Sequence, residues 1–85
     1  MDEQSLIGLA KQGDTEALLI LAKRYIPVAN KLQRQYFIRS FDADDWDQEA
    51  LIIMHRATQQ YDTHHACSFG AFYRLLLNNR VIDLI

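Results

Sequence analysis

The 85-residue chain has one cysteine, one proline and three glycines, and each scarcity removes a class of protein. A lone Cys67 cannot build an internal disulfide framework, and it fits a reducing compartment. With only Pro27, no glycine- or serine-rich linker and no internal repeat, nothing divides the chain into two units, and its length suits one domain. No run approaches eighteen apolar residues and the N-terminus is acidic, so neither a membrane span nor a secretory signal is expected. Runs of alternating β-branched residues are missing as well, which argues against strands. No Gly-x-Ser-x-Gly elbow, glycine-rich phosphate loop or His-Glu-x-x-His helix occurs. Catalysis, cofactors and small-molecule substrates are therefore not expected.

What is present is helical periodicity. The spacing predicts a helix over about residues 2–12 with Leu6, Leu9 and Ala10 inward. Gly13 closes it and Asp14 caps the next. That second helix is expected over about 15–38, with Leu18, Leu21, Ala22, Tyr25, Val28, Ala29, Leu32 and Tyr36 as its inner stripe. At Pro27 it either kinks or restarts. A third helix is expected over about 45–61, and a last one from Phe69, capped by Ser68 and still apolar at Ile85, which reads as a cut end. The fold expected is all-α, a compact bundle of about four helices in one domain.

Charge is unevenly spread along these helices. Residues 1–41 hold six basic and four acidic side chains, residues 42–62 one and six, and residues 63–85 two and one. An acidic middle between mildly basic flanks suggests one surface for a basic partner and another for something anionic. Projecting the third helix at about 100° per residue puts Trp46, Ala50, Ile53, Met54, Ala57 and Tyr61 inside. Asp45, Gln48, Glu49, Ile52, His55, Arg56 and Gln59 fall outside. The helix dipole and its open N–H groups account for one or two of the aspartates at 42, 44, 45 and 47. They do not account for Glu49, nor for an isoleucine among the charges. Ile52 within that polar rim has the composition of an interface, with a merely solvated face as the rival reading.

The stretch "DDWDQEALIIMHRATQQYD" resembles region 2 of bacterial RNA polymerase sigma factors, whose pattern there is an acid, an apolar residue, any residue, then Gln-Glu. Upstream, "LAKQGDTEALLILAKRYIPVANKLQRQY" is similar too. Downstream, Phe69, Phe72, Asn79 and Asp83 fit the spacing of the family's last region-2 helix. The resemblance covers all 85 residues, making residues 1–85 one region-2 domain, and it implies a following helical domain that reads the minus-thirty-five element. It implies that Asp45, Gln48, Glu49 and Ile52, with His55 beside them, contact a coiled coil of the β′ subunit of core polymerase. It also implies that the last helix and the loop before it recognise the promoter's minus-ten element and hold its non-template strand single.

The DNA contacts that follow from the resemblance are His64, His65, Phe69, Phe72, Arg74, Asn79, Arg80 and Asp83, with Lys31 and Arg34 for phosphates and Lys23 a further cation. Neutralising even five phosphates would leave duplex binding near the roughly 10⁻⁴–10⁻⁶ M of non-specific complexes. Phe72, Leu75 and Leu76 stand where housekeeping factors carry a tyrosine and a tryptophan pair, so the chain looks like an alternative sigma factor of the extracytoplasmic-function, sporulation or competence type. Cytoplasmic, nucleoid-associated action and an anti-sigma protein as a further partner belong to the same resemblance. "HHAC" invites a metal reading with His64, His65, Cys67 and His55 or Asp62. Adjacent histidines rarely serve one ion, however, and no metal is expected. The competing class is a helical adaptor that binds protein through the acidic face and ignores DNA.

Overall fold

The computed structural model describes residues 2–62, 64 and 67–85. Among these residues there are five helices and no strand: α1 Glu3–Lys11, α2 Thr15–Arg24, α3 Ile26–Gln35, α4 Ala43–Gln60 and α5 Phe69–Leu84. The count exceeds the expected four because Pro27 restarts the chain instead of kinking it. Proline has no N–H to give and its ring clashes with the carbonyl four residues back, whereas the first turn of a helix tolerates both defects. Tyr25, at φ −105° and ψ 13°, ends α2 and begins α3, with Pro27 in the first turn of α3. The helix also stops at Gln35, short of the expected Ile38, because Tyr36 turns extended at φ −122° and ψ 140°.

Each remaining start has a side-chain cap. Asp2 accepts from the Ser5 N–H at 2.8 Å, Asp14 from Ala17 at 3.1 Å and Ser68 from Ala71 at 3.2 Å. Between α1 and α2, Gly13 adopts φ 101°, a conformation that disfavours any side chain. Among residues 36–41, the Phe41 N–H donates to the Ile38 carbonyl at 3.1 Å and Ser40 sits at φ 71°. That turn carries Ile38 into the core and leaves Phe37 82 % exposed.

The central element is α4, which touches every other helix. Its Ile53, Met54 and Ala57 are buried against Leu6 of α1, Leu21 of α2 and Leu77 of α5 in one apolar cluster. Each fully buried leucine or isoleucine there contributes about 1.5–3 kcal/mol. Thr58 is buried as well, and its hydroxyl donates to the His55 carbonyl at 2.8 Å, so its oxygen is not stranded in the core. Aromatic rings join α2 and α3 to α5: Tyr25 lies 5.9 Å from Phe69 and 5.7 Å from Tyr73. The Tyr25 hydroxyl donates to Glu3 at 2.7 Å, which ties down the start of α1. This approach needs Gly70, where an added Cβ would stand 2.9 Å from Tyr25 Cε1.

Candidate protein and nucleic-acid interfaces

On the solvent side of α4 an arc of about 120° runs from His55 through Gln48 and Ile52 to Glu49. Gln48, His55, Arg56 and Gln59 are exposed on it, Ile52 is 50 % exposed, and Asp45 and Glu49 are half-buried. The clustered acid has two separate uses. Asp42 and Asp45 form a reciprocal cap: the Asp45 N–H donates to Asp42 at 2.9 Å, and the Asp42 N–H to Asp45 at 3.0 Å. The Asp45 N–H, chiefly, holds the Asp42 carboxyl below the ordinary aspartate range. Asp44 and Asp47 remain exposed beside the arc.

Glu49 has a different role. Its carboxylate accepts from Arg80 of α5 at 3.1 Å from Nη2 and 3.2 Å from Nε, a two-pronged ion pair between helices. The bond favours the charged guanidinium and raises the Arg80 pKa. Sequence reasoning put Glu49 on a protein-binding surface and Arg80 on a DNA-binding one; the fold joins them.

On the opposite side of the arc, Asp47, Ala50 and Leu51 of α4 form one wall of a groove of about 460 Å³. The other wall is Leu19, Ile20 and Lys23 of α2 with Ile26 and Asn30 of α3. Leu19, Ile20 and Ile26 are 50, 39 and 47 % exposed. Sequence reasoning missed this groove, although all three residues lie off the inner stripe predicted for their helix. An apolar residue outside such a stripe was the available signal.

The last helix has a buried side (Phe69, Tyr73, Leu77, Val81) and an exposed one on which Ala71, Leu75, Asn79 and Ile82 share a face. Leu75 and Ile82 are 53 and 51 % exposed, which explains why apolar residues surround this helix. Asp83 is exposed at its end, and Phe72 is half-buried with its ring 5.6 Å from Tyr61. Phe69 lies in the core, 5.3 Å from Tyr61, and so supports the helix from beneath. In the preceding loop His64 is exposed, its N–H donating to Asp62 at 2.9 Å, while the Tyr61 hydroxyl donates to the Cys67 carbonyl at 3.0 Å. His65 lies outside the described residues. Among the described residues no three metal-binding side chains converge, and no helix is long and apolar enough to cross a membrane.

Arg74 and Lys31, 43 residues apart in sequence, line one trough between α3 and α5. Arg34 is exposed on the last turn of α3. The structure thus collects Lys31 and Arg74 at one place, keeps Gln48, Ile52 and His55 together at another, and holds Arg80 against α4.

The family model for Sigma-70 region 2 matches residues 21–85, and the chain belongs to that family. Curated relatives include the RNA polymerase sigma-H factors of Bacillus licheniformis and of Bacillus subtilis (strain 168), each 26 % identical over 85 residues. The alignments cover all of this chain but 38 and 39 % of those relatives, so the chain spans under two fifths of their length. No solved structure matches it.

Proposed function

We propose that this chain is the region-2 unit of an alternative sigma factor and acts in transcription initiation. The exposed arc of α4 docks on the β′ coiled coil of core RNA polymerase. Helix α5, with the loop before it, receives the minus-ten element as non-template single strand. The observation that carries this reading is Ile52, half exposed between Gln48 and His55 among the polar residues of the solvent-facing side of α4. An apolar anchor in a charged rim is where binding energy concentrates in protein interfaces. The groove beside Leu51 extends the same surface over Leu19, Ile20 and Ile26, giving a partner helix an apolar seat next to the exposed Asp44 and Asp47.

For DNA, the outward face of α5 offers Leu75 and Ile82 as apolar contact around Asn79. Unpaired bases are held by stacking and pockets, at about 1–3 kcal/mol for each aromatic platform. Extruding a base costs a few kcal/mol, so one or two good pockets are of the right scale. Co-elution with core polymerase, with and without a single-stranded minus-ten oligonucleotide, tests both halves. The expected result is retention by core polymerase and a preference for the non-template strand over its complement. Retention without any response to the oligonucleotide would identify a protein-only adaptor instead.

A further inference from the structure

Phe37 is the most exposed large apolar side chain among the described residues, at 82 %. A lone exposed ring is ordinary on a protein surface, but this one is held outward by its neighbours. Tyr36 packs against the core on one side, and Ile38 is buried in it on the other. The Phe41 N–H closes the turn on the Ile38 carbonyl, and Ser40 completes it at φ 71°. That conformation is unfavourable for a serine, so packing on both sides imposes the backbone that projects the ring.

The groove between α2, α3 and α4 is the reciprocal feature. Leu19, Ile20, Ile26 and Leu51 give it an apolar lining, and its volume of about 460 Å³ has room for an aromatic side chain. Glu16 and Asp47 stand in it against the single cation Lys23, and Asp44 lies one turn before Asp47 on α4. The chain around Phe37 has the opposite sign: from Ile26 to Phe41 it carries Lys31, Arg34 and Arg39 and no carboxylate. Arg34, Arg39, Glu16, Asp44 and Asp47 form no ion pair among the described residues. An acid-rimmed groove repels a polyanion and suits an apolar knob with cations at its side.

Knob and seat occur on one chain and close together. The loop that holds Phe37 runs directly into α4, and Asp47 stands four residues from the start of that helix, about 6 Å along its axis. A two-fold axis beside them therefore lets each ring enter the other chain's groove. We infer that the groove is a self-recognition site: it takes Phe37 of a second copy of this chain, with Arg39 facing Glu16 and Asp47, in a closed two-fold pair. An aromatic ring buries about 150–250 Å². Two seated rings, the walls they cover and the charges beside them then remove on the order of 800 Å² from water, less than the roughly 1,200–2,000 Å² of standard stable interfaces. The pair is accordingly weak and reversible. It stands whether or not α4 docks polymerase; where α4 does, pairing withholds the groove from that partner.

Sedimentation equilibrium of the chain, loaded from about 10 μM to about 1 mM, covers the affinities of such weak complexes. The mass should rise from that of one chain toward that of two, with a midpoint on the order of 100 μM. Added salt should move the midpoint upward. Each substitution counts twice in a two-fold pair. Phe37→Ser and Leu19→Asp should each weaken pairing about tenfold per seat, so about a hundredfold in all, and leave the chain monomeric over this range. Arg39→Glu should weaken it about threefold per seat, or about tenfold in all, and Gln4→Ala on α1 should leave it unchanged. All four residues are exposed, and thermal melting of each variant verifies folding. A parent chain still monomeric at the highest loading would overturn the inference and leave the groove to a different partner. A dimer that persists undiminished in Phe37→Ser, or a mass that grows past two chains, would overturn it as well.

Discussion

Aspartate placed at Ile52 or at Ile53 makes the same chemical change one residue apart, with opposite expected consequences. Ile52 is 50 % exposed and Ile53 1 %. Full burial of an isoleucine is worth about 1.5–3 kcal/mol, so Ile52 has about 1 kcal/mol of folding free energy to lose. The lower helix propensity of aspartate adds a few tenths at most. For a domain of this size about 1 kcal/mol lowers the melting temperature by roughly 4–8 °C. At Ile53 the whole burial term is lost and a carboxylate enters an apolar interior, for a total on the order of 5 kcal/mol. That is comparable to the entire stability of many small domains, of about 5–15 kcal/mol, and Ile53→Asp should not fold. In binding the order changes: an anchor residue contributes about 2 kcal/mol or more, so Ile52→Asp should bind core polymerase about thirtyfold more weakly while folded. Circular-dichroism melting with titration against core polymerase measures both quantities. Parental affinity for Ile52→Asp, or destabilisation as severe as for Ile53→Asp, would refute the reasoning.

Three further outcomes follow from the packing. Gly70→Ala places a methyl 2.9 Å from a Tyr25 ring held by Phe69, Tyr73 and Glu3. Overpacking of about 1–3 kcal/mol should outweigh the gain of about 1 kcal/mol in helix propensity, and a raised melting temperature would show that the ring yields. Burial raises the pKa of both Tyr25 and Tyr73, assisted in Tyr25 by its bond to Glu3. Their stabilisation is therefore complete below the unfolded tyrosine value of about 10 and fades as pH climbs above it toward the folded values. Melting between pH 8 and pH 11 should fall more steeply for the parent than for Tyr25→Phe, and equal slopes would count against this linkage. Ser68→Ala removes the cap on α5 and should cost about 1 kcal/mol, measurable as a shifted urea midpoint; an unmoved midpoint would mean that water replaces the hydroxyl.

Local signals were the legible part of the fold. Asp14 and Ser68 announce helix starts in their own side-chain chemistry, and Gly13 the turn before Asp14; α4 starts at Ala43 behind Asp42, two residues ahead of the expected Asp45, because four nearby aspartates offer competing caps. The inner faces of α1 and α4 follow largely from spacing: Leu6, Ala10, Trp46, Ile53, Met54 and Ala57 are buried, while Leu9, Ala50 and Tyr61 of the same expected faces are half-buried. At Pro27 the sequence permitted either a kink or a restart, because both satisfy the missing N–H, and tertiary packing selects between them. Contacts between distant positions were not legible. Glu49 and Arg80 lie 31 residues apart, and nothing local to either marks the pair. Helix α5 resisted projection because Leu75 and Ile82 face outward, giving no polar side to set against the buried one. At the candidate site, Gln48, Ile52 and His55 could be grouped from helical spacing, but the adjoining groove and the trough between Lys31 and Arg74 exist only once separate helices meet.

The proposed docking arc is tested most directly by a photocrosslinking side chain at Gln48 or His55, which flank Ile52 and leave it intact, with Gln4 of α1 as the control. On mixing with core polymerase and irradiation, positions 48 and 55 should both give adducts on the β′ coiled coil, and position 4 none. Adducts from position 4 with none from 48 or 55 would place polymerase on another side of the domain and contradict the account.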